Sequence, residues 1–121
     1  MKIQFETITT SNTKCNWSID TNKTNVTIRY SWTVISICLN LNKPSFIDFM
    51  DALKRLLFDR LSDSVKKSYY VFRLKAAFYQ TATNDIVLRH RYNKHKILLS
   101  IQPEELDPFM TAMSKVQDYI S

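Results

Sequence analysis

The feature that most constrains this chain is an internal repeat. Shifted by 60 residues, the segment 26–56 lies on 86–116 without a gap. Val26-Thr27-Ile28-Arg29 falls on Ile86-Val87-Leu88-Arg89, Ile37 to Leu41 on Ile97 to Ile101, and Phe49-Met50-Asp51-Ala52-Leu53 on Phe109-Met110-Thr111-Ala112-Met113. The apolar spacing changes from alternation to helical within each segment, and both copies change at the same place. A chain built this way has to fold as two strand-strand-helix units of equal length and phase.

Each copy ends in a predicted helix. Phe46, Phe49, Met50, Leu53, Leu56, Leu57 and Leu61 form one apolar stripe, and Leu106, Phe109, Met110, Met113, Val116 and Ile120 the other. Pro44 and Pro103 suit a first helical turn, where a missing N–H costs nothing. Strands are expected at Lys2–Ile8, Lys14–Ile19, Thr27–Trp32 and Val34–Leu41 in the first copy. In the second, Ile86–Tyr92 and Lys94–Ile101 follow one long segment, Lys67–Tyr79, that can bend into two strands. The fold class is therefore α+β, with two ββββα-type repeats at about 1–62 and 63–121 in one domain. Each antiparallel sheet is expected to be backed by a C-terminal helix.

The chain of 121 residues contains no glycine. That removes the P-loop, the dinucleotide-binding fingerprint and the nucleophile elbow, and leaves Asn, Asp, Ser and Thr to make the turns. Thr10–Thr13, Asp20–Asn25 and Thr81–Asp85 are the expected turns. Cys15 and Cys38 lack partners at metal-ligand spacing, so neither a metal nor a cofactor is expected. The Met1–Glu6 start has no apolar signal region and no membrane-length span follows, which points to an intracellular protein of cytoplasm, nucleoid or organelle.

The net charge of +6 favours polyanionic partners, and its distribution says where. From Lys66 to Lys96 the only acid is Asp85. Side chains alternate across a strand, so parity sorts each strand into two faces. It assigns Tyr70, Phe72, Leu74, Ala76 and Phe78 to the core, with Ile86, Leu88, His90, Tyr92, His95, Ile97, Leu99 and Ile101. The open face then carries Lys67, Tyr69, Arg73, Lys75, Tyr79, Arg89, Arg91, Lys94 and Lys96. Cations neutralise phosphates while aromatic rings stack on unpaired bases, so this face is the candidate nucleic-acid-binding site. The matching positions of copy one, Thr27, Arg29, Ser31, Ser36, Cys38 and Asn40, are polar and nearly uncharged.

Short runs of copy two carry a resemblance. Arg73-Leu74-Lys75-Ala76-Ala77-Phe78 is similar to the Lys-Gly-Lys-Ala-Ala-Leu strand motif of Whirly proteins, with Leu74 in place of the glycine. Lys67 to Phe72, His95 to Leu99 and Glu105 to Phe109 look like the run of a PUR-alpha repeat. The resemblance to this superfamily covers mainly residues 66–120. It implies a Whirly/PUR-like fold, single-stranded DNA or RNA as ligand, and Arg73 and Lys75 as contacts.

Nothing in the pattern suggests catalysis. His90 and His95, the only histidines, fall inside or at the ends of predicted strands, and Glu104, Glu105 and Asp107 suit a helix start. The expectation is a non-enzymatic single-stranded nucleic-acid-binding protein without membrane attachment. The broad apolar stripes leave room for a homodimer or higher oligomer. The competing reading is an inhibitor or immunity-type module whose basic face meets an acidic protein.

Overall fold

The computed structural model describes residues Met1–Ser121. Strands β1 (Lys2–Ile8), β2 (Lys14–Thr21), β3 (Asn25–Trp32) and β4 (Ile35–Asn42) precede helix α1 (Lys43–Leu61). Strands β5 (Tyr69–Val71), β6 (Ala76–Gln80), β7 (Ile86–His90) and β8 (Ile97–Ile101) precede helix α2 (Pro103–Ile120). The strands form two antiparallel four-stranded sheets in sequential order, β1-β2-β3-β4 and β5-β6-β7-β8. The architecture is α+β with two ββββα units. Several positions related by the 60-residue shift share their burial: Ile28 and Leu88, Phe49 and Phe109, and Leu53 and Met113 are all fully buried.

By contact, the chain divides into one body of Met1–Lys43 with Gln102–Ser121 and another of Pro44–Ile101. Each sheet is therefore covered by the helix that ends the other copy. On the first sheet Trp17 meets Phe109 of α2 at 5.3 Å between ring centroids, and Lys23 Nζ donates to the Tyr119 carbonyl at 2.6 Å. On the second sheet Phe78 meets Phe49 of α1 edge-on at 5.2 Å.

In the first body, Phe5, Trp17 and Tyr30 stack across β1, β2 and β3, and Tyr30 stacks in turn on Trp32. The acids at the start of α2 do more than complement its dipole. Glu105 is buried, closes a capping box with Gln102, and accepts from Thr7 Oγ1 and from Trp17 Nε1 at 3.3 Å. Burial and the Glu105 charge push the neighbouring Cys15 thiol up, which keeps it protonated. Glu104 accepts from Thr10 N at 2.6 Å and Thr10 Oγ1 at 2.8 Å, and those bonds hold its carboxyl below the usual carboxylate range.

Two hairpins solve the missing-glycine problem in the same way. Thr9 N donates to Thr13 O, Asn12 N to Thr9 O and Thr13 N to Thr9 Oγ1; Thr81, Asn84 and Asp85 repeat the three bonds. The residue that must turn left-handed is Asn in both, Asn12 at φ 62° and Asn84 at φ 66°, because asparagine tolerates that region better than most residues.

Candidate nucleic-acid interface

The segment Lys67–Tyr79 is not one strand. β5 ends at Val71, a 3₁₀ turn spans Phe72–Leu74, and Lys75 adopts φ 52° before β6 begins. The turn resets the side-chain alternation, so the parity expected from β6 does not hold in β5. Tyr69 is the main correction. It is 5% exposed, with its hydroxyl donating to Asp59 Oδ2 at 2.7 Å and accepting from Lys66 N at 2.8 Å. Burial is the main cause that pushes its phenol up. A ring held this way cannot stack on a base. Val71, two residues on with the same parity as Tyr69, is also core, while Tyr70 and Phe72, expected in the core, are exposed.

A second irregularity lies at the other edge. Leu88 pairs with Leu99 but Arg89 pairs with Ile97, so Leu98 is an extra residue that bulges β8. This moves Ile97 out of the core. The strand starts at Ile97, so His95, expected inward, is exposed in the 91–96 loop along with Lys94 and Lys96. Tyr92 likewise lies beyond β7 and is exposed.

The result is a cluster at one end of the second sheet. The row on the side opposite Phe78 runs Tyr70, Ala77, Arg89, Ile97 across the four strands; its two ends are exposed, Arg89 is half-buried and Ala77 is fully buried. Just beyond it, Arg91 N donates to Lys75 O at 2.7 Å, continuing the β6–β7 pairing past the strand end. The Arg91 guanidinium stands 4.7 Å from the ring centre of Tyr70, 5.6 Å from Phe72 and 5.7 Å from Tyr92. These rings are 47%, 67% and 74% exposed. Arg91 forms no ion pair, and Arg89 Nε is buried without a hydrogen-bond partner. Asp85, the one acid of the region, sits beyond the opposite end of β7.

Of the expected residues, Arg91 lies in the cluster; Lys75 pairs with it through the backbone, Arg89 sits in the adjoining row, and Lys94 and Lys96 are exposed on the 91–96 loop. Arg73 is exposed, but its Nε is paired with Asp48 Oδ2 of α1 at 2.8 Å, which offsets its charge. Tyr79 is half-buried in the next row of that side, beside the buried Val87 and the half-buried Ser100, and Lys67 is exposed ahead of β5. Parity missed Tyr70, Phe72 and Tyr92. The available signal was length: a segment of that size among strands of five to eight residues has to break, and a break resets the faces.

His90 organises the loop. Its Nδ1 accepts from Tyr92 N at 3.2 Å and Asn93 N at 3.1 Å, and its backbone N donates to Lys96 O at 3.0 Å. Asn93 Oδ1 accepts from His95 N at 3.2 Å. No group of three or more His, Cys, Asp or Glu side chains is placed to hold a metal ion, and no helix is long and apolar enough to cross a membrane. The chain matches no protein-family model, and neither the curated proteins nor the solved structures contain a significant match to it.

Proposed function

We propose that this protein binds single-stranded nucleic acid, without catalysis, through the Tyr70–Phe72–Arg91–Tyr92 cluster and the cations around it. One observation carries the reading: three exposed aromatic rings surround a guanidinium that has no acidic partner. Exposed rings offer faces for unpaired bases, and an unpaired guanidinium offers a bidentate site for phosphate. Lys75, Lys94 and Lys96 extend the positive field along the same end. Rings of this kind cannot reach bases that are stacked in a duplex, so the preference is for single strands. The Whirly and PUR-alpha resemblance of residues 66–120 agrees with this ligand class.

The test is titration of a labelled single strand and its duplex at two salt concentrations. The expected result is tighter single-strand binding that weakens as salt rises. Absence of binding at low salt would reject the reading and favour an acidic protein partner.

A further inference from the structure

The loop that presents Tyr92 to Lys96 is closed by His90 N donating to Lys96 O and Lys96 N to Asn93 O, and its Tyr92–Asn93 end is tied to one titratable ring. Both backbone donors reach the same atom, His90 Nδ1, at 3.2 and 3.1 Å. An imidazole nitrogen accepts only when it carries no proton, so the neutral ring must hold its proton on Nε2. The ring also packs edge-on against Tyr92 at 5.9 Å between centroids. From these contacts we infer that His90 is a positioning residue and a pH switch for the cation–aromatic cluster: the neutral ring holds the Tyr92–Asn93 end of the 91–96 loop in its binding geometry, and protonation releases that end. The inference rests on the function proposed above.

Protonation puts a hydrogen on Nδ1, facing two N–H donors that then have no acceptor there. Both bonds are lost together, and Tyr92 and Asn93 turn to water. No ion pair stabilises the imidazolium. The charged groups on the elements around it are the cations Lys75, Arg91 and Lys96, with the His95 ring on the same loop. On α1, Asp48 is paired with Arg73. The direction of the effect is diagnostic. Simple polyelectrolyte binding tightens when histidines gain charge, because the ligand is an anion. Here the loss of loop geometry opposes that gain, so acidification weakens binding although the protein becomes more positive.

The experiment is ¹⁵N NMR of the full chain between about pH 8 and pH 5, the window in which histidine changes charge. Single-strand titrations of the wild type, His90→Ala and His95→Ala accompany it. The Tyr92 and Asn93 amides should shift and lose exchange protection in step with the His90 ring. Wild-type affinity should fall about fivefold on acidification, the loss of the two hydrogen bonds being partly offset by the gained charge. His95→Ala should show a fall at least as large, because it lacks the extra cation. His90→Ala should bind weakly at pH 8 and show no such fall. Amides of Tyr92 and Asn93 that stay unmoved while His90 titrates would overturn the switch, as would equal tightening in the wild type and His90→Ala. If no single strand binds even at pH 8, the proposed function fails, and the amide titration still decides the device.

Discussion

Where the first sheet carries Glu6, Asn16 and Ser31 in one cross-strand row, the second carries Phe72, Lys75 and Arg91. The rows correspond. Ser31 and Arg91 are 60 residues apart, Lys75 meets Arg91 as Asn16 meets Ser31, and Phe72 follows the paired Val71 as Glu6 follows the paired Phe5. The adjoining open-face row changes in the same sense, from Gln4, Ser18, Arg29 and Cys38 to Tyr70, Ala77, Arg89 and Ile97. On the core side, the Phe5–Trp17–Tyr30 stack becomes Val71, Ala76 and His90. The first sheet has strands of seven and eight residues without a break; the second has three and five, a 3₁₀ turn, a left-handed Lys75 and a bulge. Regular pairing keeps side chains on the two faces in strict alternation. The irregular copy spends that order to bring Tyr70, Phe72, Arg91 and Tyr92 to one point, which is the ordinary use of bulges near functional sites.

Exchanging the rows tests that contrast most severely. The variant Phe72→Glu, Lys75→Asn, Arg91→Ser gives the second sheet the residues of the first at the same positions. Asparagine is well suited to the left-handed site of Lys75, so the backbone should survive. Single-strand binding should fall by at least about 100-fold. The loss combines up to two phosphate contacts, each worth about 0.7 in the log–log salt slope, with a stacked base and an added repulsive charge. Affinity near wild type with an unchanged circular dichroism spectrum would place the binding surface elsewhere.

Tyr69 and Tyr70 are neighbours in sequence and opposites in the fold, and each should fail in its own way. Tyr70→Ala should weaken binding by about 1–3 kcal/mol with little change in salt slope, because it removes a stacking ring and no charge. Tyr69→Ala should leave the open face alone. It should instead cost stability, on the order of 3 kcal/mol for emptying a buried aromatic site, measured by urea unfolding. A Tyr69 variant that remains stable yet loses binding would reverse the assignment of faces.

The same pair shows what was legible in advance. The ungapped repeat yields three elements per copy, in phase except at Ile97, which the bulge turns to the side opposite that of Ile37. The first sheet followed simple parity throughout, from Val26, Ile28 and Tyr30 inside to Thr27, Arg29 and Ser31 outside. The cations of the candidate site were visible as a run nearly free of acids. Parity puts the aromatic half on the wrong side, because it propagates only through continuous pairing: the Phe72–Leu74 turn interrupts it for Tyr70 and Phe72, and β7 ends before Tyr92. A one-residue slip inverts every side chain beyond it. The helix exchange was likewise hidden: two stripes of similar size, Phe46 to Leu57 and Leu106 to Ile120, fit either sheet by hydrophobicity alone. What distinguishes them is specific, Glu105 meeting Thr7 and Trp17 on one side and Asp59 meeting Tyr69 on the other.

The smallest expected effect separates the shape of Lys75 from its charge. At φ 52° a lysine pays the steric cost of its Cβ, on the order of 1 kcal/mol, which glycine avoids. Glycine also frees the unfolded chain, which offsets roughly 0.5–1 kcal/mol of that gain. Lys75→Gly should therefore change stability by no more than about 0.5 kcal/mol, and the turn should keep its Lys75 N to Phe72 O bond, 3.0 Å in the wild type. Binding should respond to the lost cation alone. The salt slope should drop by about 0.7 if the ammonium neutralises a phosphate, with the contribution of Tyr70 unchanged. Lys75→Arg keeps the charge and the left-handed strain and should restore the slope. If glycine and arginine bind alike, Lys75 shapes the turn that exposes Tyr70 and Phe72 and makes no contact of its own with the strand.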